Sequence, residues 1–359
     1  MERYTEAAEF FGFSRTKDLK NQFLMKSETT DESTHLSEVD QTLYVSELDD
    51  EIQIEEIKKA HSVLKEDKST ADGWAKRMVT SVTLCIMLVF QVIYKILKYH
   101  LYPSVWRTTI VNAIFKNKGS RKLAECYRGI SIVYLVAEIF DIILLNRFKN
   151  WFIPSDLNTA YQPEMSTADH VFLQRCLISY SRKVKEKLFI VSIDFDGAFD
   201  RVSRSVLMKK LCRFGAGAIF VSCIASMYMK TDNIIFHDGD HIMYTLFAGI
   251  KQGLPLSPLL FLFYVNDLFS FFESVHGNTS NIIYEIVHVL MHADDANILA
   301  STRDIAIRKL VTLLEYCGLN CIIPQYKKCE FIAIKGDEDR EPLPFGSKVL
   351  KCVISGNTG

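Results

Sequence analysis

Residues 289–301 read VLMHADDANILAS: two apolar runs with two adjacent aspartates, Asp294 and Asp295, between them. Both runs are of strand length, and Asp is a turn former, so YEIVHVLM (284–291) and NILAS (297–301) predict the arms of a hairpin with the acid pair at its tip. On its own, such a pair is explained as well by turn formation as by chemistry.

The neighbouring elements tip that balance. KLFIVSID (187–194) is a short unbroken apolar run ending on Asp194, the pattern of a strand buried on both faces. SRSVLMKKLCRFG (203–215) places Val206, Leu207, Leu211 and Phe214 on one helical face, with Gly215 as its stop. SPLLFLFYVNDLFSFF (257–272) predicts a helix with Ser257 as N-cap and Pro258 in first position. TRDIAIRKLVTLLEYCG (302–318) predicts another, and KKCEFIAIKG (327–336) a last strand. The order is strand, helix, two strands, helix, strand, with one long helical insertion. It is that of a ferredoxin-like split unit, an antiparallel sheet with helices on one face. In such a sheet the first strand neighbours the central hairpin, which predicts Asp194 close to Asp294 although 100 residues separate them. Three carboxylates at one sheet edge repel one another and raise one another's pKa unless cations neutralise them. Hard divalent cations with oxygen ligands do this, and a pair of them can clamp an in-line phosphoryl displacement.

Five segments, in order, carry a resemblance: VWRTTIVNAIFKNKGSRKLAECYRGISI (105–132), STADHVFL (166–173), SIDFDGAFDRV (192–202), GIKQGLPLSPLLF (249–261) and HADD (292–295). LLNRF (144–148) and IEEIKKAHSVLKEDKSTADGW (54–74) continue it. The chain resembles the reverse transcriptases of non-long-terminal-repeat (LINE-type) retrotransposons from about residue 48 to 354. The resemblance implies an α+β right-hand polymerase: helical lead-in 48–107, reverse transcriptase domain 108–354 with fingers about 108–186 and palm about 187–335, and no thumb. Residues 1–47 read as a polar leader and 355–359 as a truncated tail, so the chain is expected to be a fragment or decayed copy. The implied function is RNA-directed DNA polymerisation with two Mg²⁺ or Mn²⁺ ions, deoxynucleoside triphosphates, an RNA template and a DNA primer. Asp194, Asp294 and Asp295 resemble the metal-binding catalytic set, and Lys328 the lysine that can protonate the leaving pyrophosphate. Phe199 matches the bulky gate beneath the incoming sugar, where a ring clashes with a 2′-hydroxyl; a core aromatic is the alternative. Gln252 and Gly253 resemble the loop beside the incoming base pair, and Lys116 and Arg128 the cations that contact the triphosphate. Asp200 matches a structural aspartate.

Several positions depart from the family pattern. His292 stands where Tyr or Phe is usual, Gln162 about where a template-contacting arginine is expected, Glu138 for a lysine and Gln325 for an asparagine. Two rival readings remain: an inactive remnant that at most binds nucleic acid, and an RNA-directed RNA polymerase, against which Phe199 argues.

Composition bounds these readings. The 359 residues are 48% hydrophobic, enough for two or more cores, and net charge is −1, so no global basic field advertises a nucleic-acid partner. The exception is local: residues 107–128 hold Arg107, Lys116, Lys118, Arg121, Lys122 and Arg128 against the single acid Glu125. Nine scattered cysteines and no signal-like N-terminus predict reduced thiols in an intracellular protein. Cys317, Cys321 and Cys329 lack a second ligand pair and read as ordinary thiols rather than a zinc site. In residues 79–102 the unbroken apolar stretch Leu84–Phe90 is shorter than the ~20 residues of a membrane span, which predicts a buried amphipathic helix ended by Pro103.

Overall fold

The structure, a computed structural model, describes residues 47–66, 70–73, 76, 83–123, 126–237, 240–277, 282–335 and 341–353. The expected leader and tail lie outside these residues, apart from Glu47. After a 3₁₀ turn at Glu47–Asp49 come α1 (Ile54–Ser62), α2 (Thr83–Tyr99), α3 (Ser104–Arg107), the hairpin β1 (Thr108–Phe115) and β2 (Tyr127–Ile132), and α4 (Leu135–Trp151). Next are α5 (Thr167–Val184), β3 (Leu188–Asp194), α6 (Arg204–Arg213), α7 (Ala218–Tyr228), β4 (Thr231–His237), β5 (Asp240–Leu246) and α8 (Ser257–Val265). The chain continues through α9 (Leu268–His276), α10 (Ile283–Ile286), β6 (Val289–His292), β7 (Asp295–Ala300), α11 (Arg303–Leu319), β8 (Glu330–Ile334), β9 (Leu343–Phe345) and β10 (Lys348–Cys352).

These elements form two compact units whose segments alternate along the chain: residues up to 152 with 199–259, and 153–198 with 260–359. The first unit holds a four-stranded sheet of order β2-β1-β4-β5. Its β4–β5 hairpin lies within the stretch expected from sequence to be one long helical insertion, which it interrupts. The start of the described chain is fastened to this unit by buried Arg147. Its Nε donates to Glu56 Oε1 at 2.8 Å, and its Nη1 donates to the Leu48 and Asp50 carbonyls at 3.1 and 2.7 Å. Asp49 accepts from the Ile219 and Phe220 amides and so caps the N-terminus of α7.

The second unit carries the six-stranded sheet β6-β7-β3-β8-β10-β9. As the split pattern requires, β3 lies between β7 and β8, antiparallel to both. Ile190, Leu188, Leu290 and Leu299 from this sheet make one core with Leu177 of α5 and Tyr284. Alternate residues Val191, Ile193, Ala296 and Ile298 are buried on the other side, so β3 is covered on both faces, as its unbroken apolar run demands.

Three boundaries differ from the sequence analysis. YEIVHVLM is not one strand: residues 283–286 form the short α10, and only Val289–His292 pairs with β7. The helix expected over 257–272 is two, α8 and α9, interrupted at Asn266 and Asp267. Although Ser257–His276 is apolar and long enough by composition to cross a membrane, half of it is buried inside the fold. Finally, α2 ends at Tyr99, before Pro103, because His100 turns to φ 55°.

Candidate active site

Strand register assembles the acidic centre. In β3–β7 pairing, Asp194 lies opposite Asp295; in β6–β7 pairing, His292 lies opposite Asp295. The three side chains therefore form a row across adjacent strands on one face, with neighbouring Cβ atoms about 5 Å apart. Asp294 sits in the two-residue hairpin loop, so the cross-strand partner of Asp194 is Asp295, one position beyond the expected Asp294. Desolvation pushes the Asp295 carboxyl above its ordinary value, the charges of Asp294 and Asp194 add to the rise, and His292 and Lys328 oppose it.

Lys328 reaches the same centre. Its Nζ stands 3.1 Å from Asp194 Oδ2 and 3.3 Å from Oδ1. The segment before it is clamped to the end of β3: the Gln325 amide donates to the Asp194 carbonyl at 2.7 Å, and Phe195 bridges to Pro324. Lys328 is exposed, so the ion pair adds little stability; what it does is put a cation against a carboxylate.

Residues that the sequence did not reveal hold the hairpin from behind. Ala293, first in the loop, has φ 57°, a left-handed conformation that disfavours a Cβ. Asn158 Oδ1 accepts from its amide at 3.3 Å, and the Thr159 amide donates to the Met291 carbonyl at 3.0 Å. The His292 ring lies between two hydroxyls, Thr159 Oγ1 at 2.9 Å from Nδ1 and Thr167 Oγ1 at 3.1 Å from Nε2. Deeper, His170 Nε2 meets amide nitrogens of Asn297 at 2.9 Å and Gln174 at 3.1 Å. Both partners are donors, so Nε2 accepts and the proton is on Nδ1. Desolvation, with His292 second, lowers the pKa of His170 and keeps the ring neutral. Asn297 Oδ1 in turn accepts from Ser192 at 2.9 Å. The one signal in the sequence was Asn297 itself, a polar residue at an inward position of NILAS. Gln162 is engaged locally, its amide donating to the Ser155 carbonyl at 3.0 Å and to that of Asn158.

The acidic donors suit a hard divalent ion in chemistry: carboxylate oxygens on adjacent strands and in the loop, one already facing an ammonium. Among the described residues, however, no three His, Cys, Asp or Glu side chains converge tightly enough to hold an ion. Mutual repulsion of the carboxylates works against such convergence.

In the other unit, the loop 249–256 is fitted against β2. The Ser131 amide donates to the Gln252 carbonyl at 2.8 Å, and Gln252 Nε2 donates to Asp200 Oδ1 at 3.0 Å, which makes Asp200 a support for Gln252. Gly253, at φ 103°, sits where a side chain would be crowded: a Cβ would stand 3.0 Å from Ile130 Cγ2 and 3.2 Å from the Ser131 carbonyl. The Ile250 amide donates to the Phe199 carbonyl at 2.9 Å, tying the loop to the candidate gate, whose side chain is half-buried. In the β1–β2 hairpin, Arg128 lies opposite Ile114, and the Lys116 amide donates to the Cys126 carbonyl at 2.8 Å. Alternation along these strands puts Lys116 and Arg128, both exposed, on the same face. Arg121 from the basic segment stacks over the Phe115 ring at 5.1 Å.

The site is thus an acidic row across antiparallel strands with a cation beside it. Residues 115–347 match the reverse transcriptase (RNA-dependent DNA polymerase) family. The chain belongs to that family, on its non-long-terminal-repeat retrotransposon branch. The R2 Pol polyprotein of Popillia japonica is 26% identical over 282 residues, 78% of this chain and 39% of that protein. The R2DM Pol polyprotein of Drosophila melanogaster is 25% identical over 219 residues, 60% of this chain and 20% of that protein. The polymerase of the Drosophila mobile element jockey is 21% identical over 213 residues, 57% and 22% of the respective chains. The chain thus spans well under half the length of these relatives. Among solved structures, apo telomerase from Candida tropicalis superposes with a TM-score of 0.44 at 13% identity, over 75% of this chain and 59% of that one.

Proposed function

We propose that this chain is an RNA-directed DNA polymerase, adding deoxynucleotides to a primer 3′-hydroxyl along an RNA template. The observation that carries the reading is the register: Asp194 opposite Asp295, with Asp294 beside them in the hairpin loop. These three carboxylates would hold the two Mg²⁺ or Mn²⁺ ions, which supply a lowered pKa for the attacking hydroxyl and neutralise charge on the reacting phosphate. The chain's own residues position and select. Lys116 and Arg128 draw the triphosphate by charge, and Gln252 and Gly253 present a close-fitting backbone to the base pair. Phe199 rejects ribose through a clash with the 2′-hydroxyl. Lys328, its ammonium 3.1 Å from Asp194 Oδ2, gives its proton to the departing pyrophosphate. Fingers and palm are the roles we assign to the basic hairpin and the six-stranded sheet.

Primer extension on an RNA template with Mg²⁺ or Mn²⁺ tests the proposal. Wild-type protein should lengthen the primer, and Asp294→Asn and Asp194→Asn should not, with circular dichroism unchanged. Equal extension by either variant refutes the assignment; no extension by a folded wild-type chain leaves an inactive remnant.

A further inference from the structure

Behind the loop 249–256 lies a group of buried charged side chains that the polymerase chemistry does not use. Arg204 of α6 donates through Nε to the Gly249 carbonyl at 2.9 Å and through Nη1 to the carbonyls of Tyr228 at 2.7 Å and Leu246 at 2.8 Å. Lys251, in the loop, is buried, and its Nζ donates to the Trp106 and Arg107 carbonyls at 3.1 and 3.2 Å, at the end of α3. Asp141 of α4 is fully buried, and its Oδ2 accepts from the Leu256 amide at 2.8 Å. The loop is thus gripped at its start, its middle and its end by three ionisable groups from three directions. Gln252 and Gly253, the residues assigned to the incoming nucleotide, lie between the second and third grips.

We propose that Arg204, Lys251 and Asp141 are positioning residues that hold the loop carrying Gln252 and Gly253 in its nucleotide-accepting form, with Lys251 as the movable member. The nucleotide part of this inference rests on the polymerase reading; the clamp itself does not. Arg204, whose Nη2 also donates to Thr231 Oγ1 at 2.7 Å, has four partners on neighbouring elements and Asp141 is anchored in α4, whereas Lys251 travels with the loop. Opening the loop would give its ammonium back to water.

The groups facing Lys251 set its response to pH. Burial is the largest influence, and Arg204 next; both lower its pKa, as does Arg107, while Asp141 raises it, and the result is about 7. Tyr228, also against the loop, has its hydroxyl pushed up to about 12 by burial and stays neutral. With the loop open and Lys251 hydrated, its pKa returns towards about 10.4. Between these values the open form binds more protons, so closure strengthens as pH rises, by up to about tenfold per pH unit, and is flat below about 7.

The test is amide hydrogen exchange, corrected for intrinsic rate, from about pH 6 to about pH 9 in wild type and Lys251→Met. The reporters are the amides of Ser131, Gly249, Ile250 and Leu256, bonded to Gln252, Val202, Phe199 and Asp141. Wild-type protection of these four should be level up to neutrality and then climb, and in Lys251→Met it should stay flat. In parallel, the wild-type KM for deoxynucleotide should fall over the same interval, kcat changing less, and the variant should lose that dependence. Identical pH profiles in the two proteins overturn the proposal. So does a climb shared equally by α4 and α7, which would make Lys251 an ordinary core residue, or a climb with no matching change in KM. If wild type extends no primer, the polymerase reading fails, and exchange alone then decides whether the clamp exists.

Discussion

Gly253→Ala probes the fit of the loop 249–256 against β2 most directly. An L-residue forced into left-handed backbone costs roughly 1–2 kcal/mol, and φ 103° is outside even the usual left-handed well. The added Cβ would also stand 3.0 Å from Ile130 Cγ2 and 3.2 Å from the Ser131 carbonyl oxygen. The methyl can yield by turning, but the carbonyl belongs to β2 and cannot, so overpacking adds about 1–3 kcal/mol. A total of about 2–5 kcal/mol has two places to appear. If the loop stays, the protein is destabilised and Tm falls by about 2–4 °C for each kcal/mol. If the loop lifts, the Ser131–Gln252 hydrogen bond breaks, Tm is kept, and the KM for deoxynucleotide rises about tenfold for each 1.4 kcal/mol. Thermal unfolding and steady-state extension, measured on the same preparation, read both. Gly318→Ala is the control: a Cβ there meets nothing within 4 Å, and the helical position should gain up to about 1 kcal/mol. If Gly253→Ala leaves Tm within a degree and KM within about twofold, the close packing of this loop on β2 is wrong.

Phe199→Ala should raise ribonucleotide incorporation relative to deoxyribonucleotide, with a smaller loss of deoxynucleotide use; an unchanged sugar preference in an active variant returns Phe199 to the core. Asp295→Asn should abolish extension yet stabilise the metal-free fold at neutral pH. The raised pKa of Asp295 means that the folded state holds its proton more tightly than the unfolded one, so its penalty is present above the folded pKa. The gain in Tm should therefore vanish as pH falls to the ordinary carboxylate range, and a gain that persists there contradicts the electrostatic account. Arg147→Met leaves Glu56 and two backbone carbonyls without their buried donor and should cost about 3–5 kcal/mol in denaturant unfolding. A loss under about 1 kcal/mol would show that residues 47–56 are not fastened as described.

What the sequence disclosed depended on how local the signal was. The apolar run 187–194 announced a strand covered on both faces, and its terminal Asp194 meets the acid hairpin as the split unit requires. The β4–β5 hairpin carries an equally local signal: TDNIIFH and DHIMYTL flank an Asp-Gly dipeptide at 238–239, a strong short-range hairpin signal. Asn158, Thr159 and Thr167 could not be read at all. Each is an ordinary loop or cap residue in sequence, and each meets the 291–293 segment across more than 120 residues. The same holds for Lys251, whose acceptors lie 145 and 144 residues away.

The acidic hairpin itself shows why turn chemistry alone under-describes it. A two-residue loop prefers Asn-Gly or Asp-Gly, because its backbone needs positive φ, yet here Ala293 takes φ 57° in an Ala-Asp loop. Nothing in that dipeptide pays the cost of about 1–2 kcal/mol. The conformation persists because tertiary partners over-determine it: Asn158 accepts from the Ala293 amide, Thr159 pairs with Met291, and two hydroxyls bracket the His292 ring. Either protonation state of that ring keeps both hydrogen bonds, since a hydroxyl can donate or accept. An imidazole in place of the usual Tyr or Phe therefore fits a pocket that supplies a partner on each side. The hairpin is held by the fold behind it, and that is what a pair of adjacent carboxylates, each repelling the other, needs in order to stay in one place.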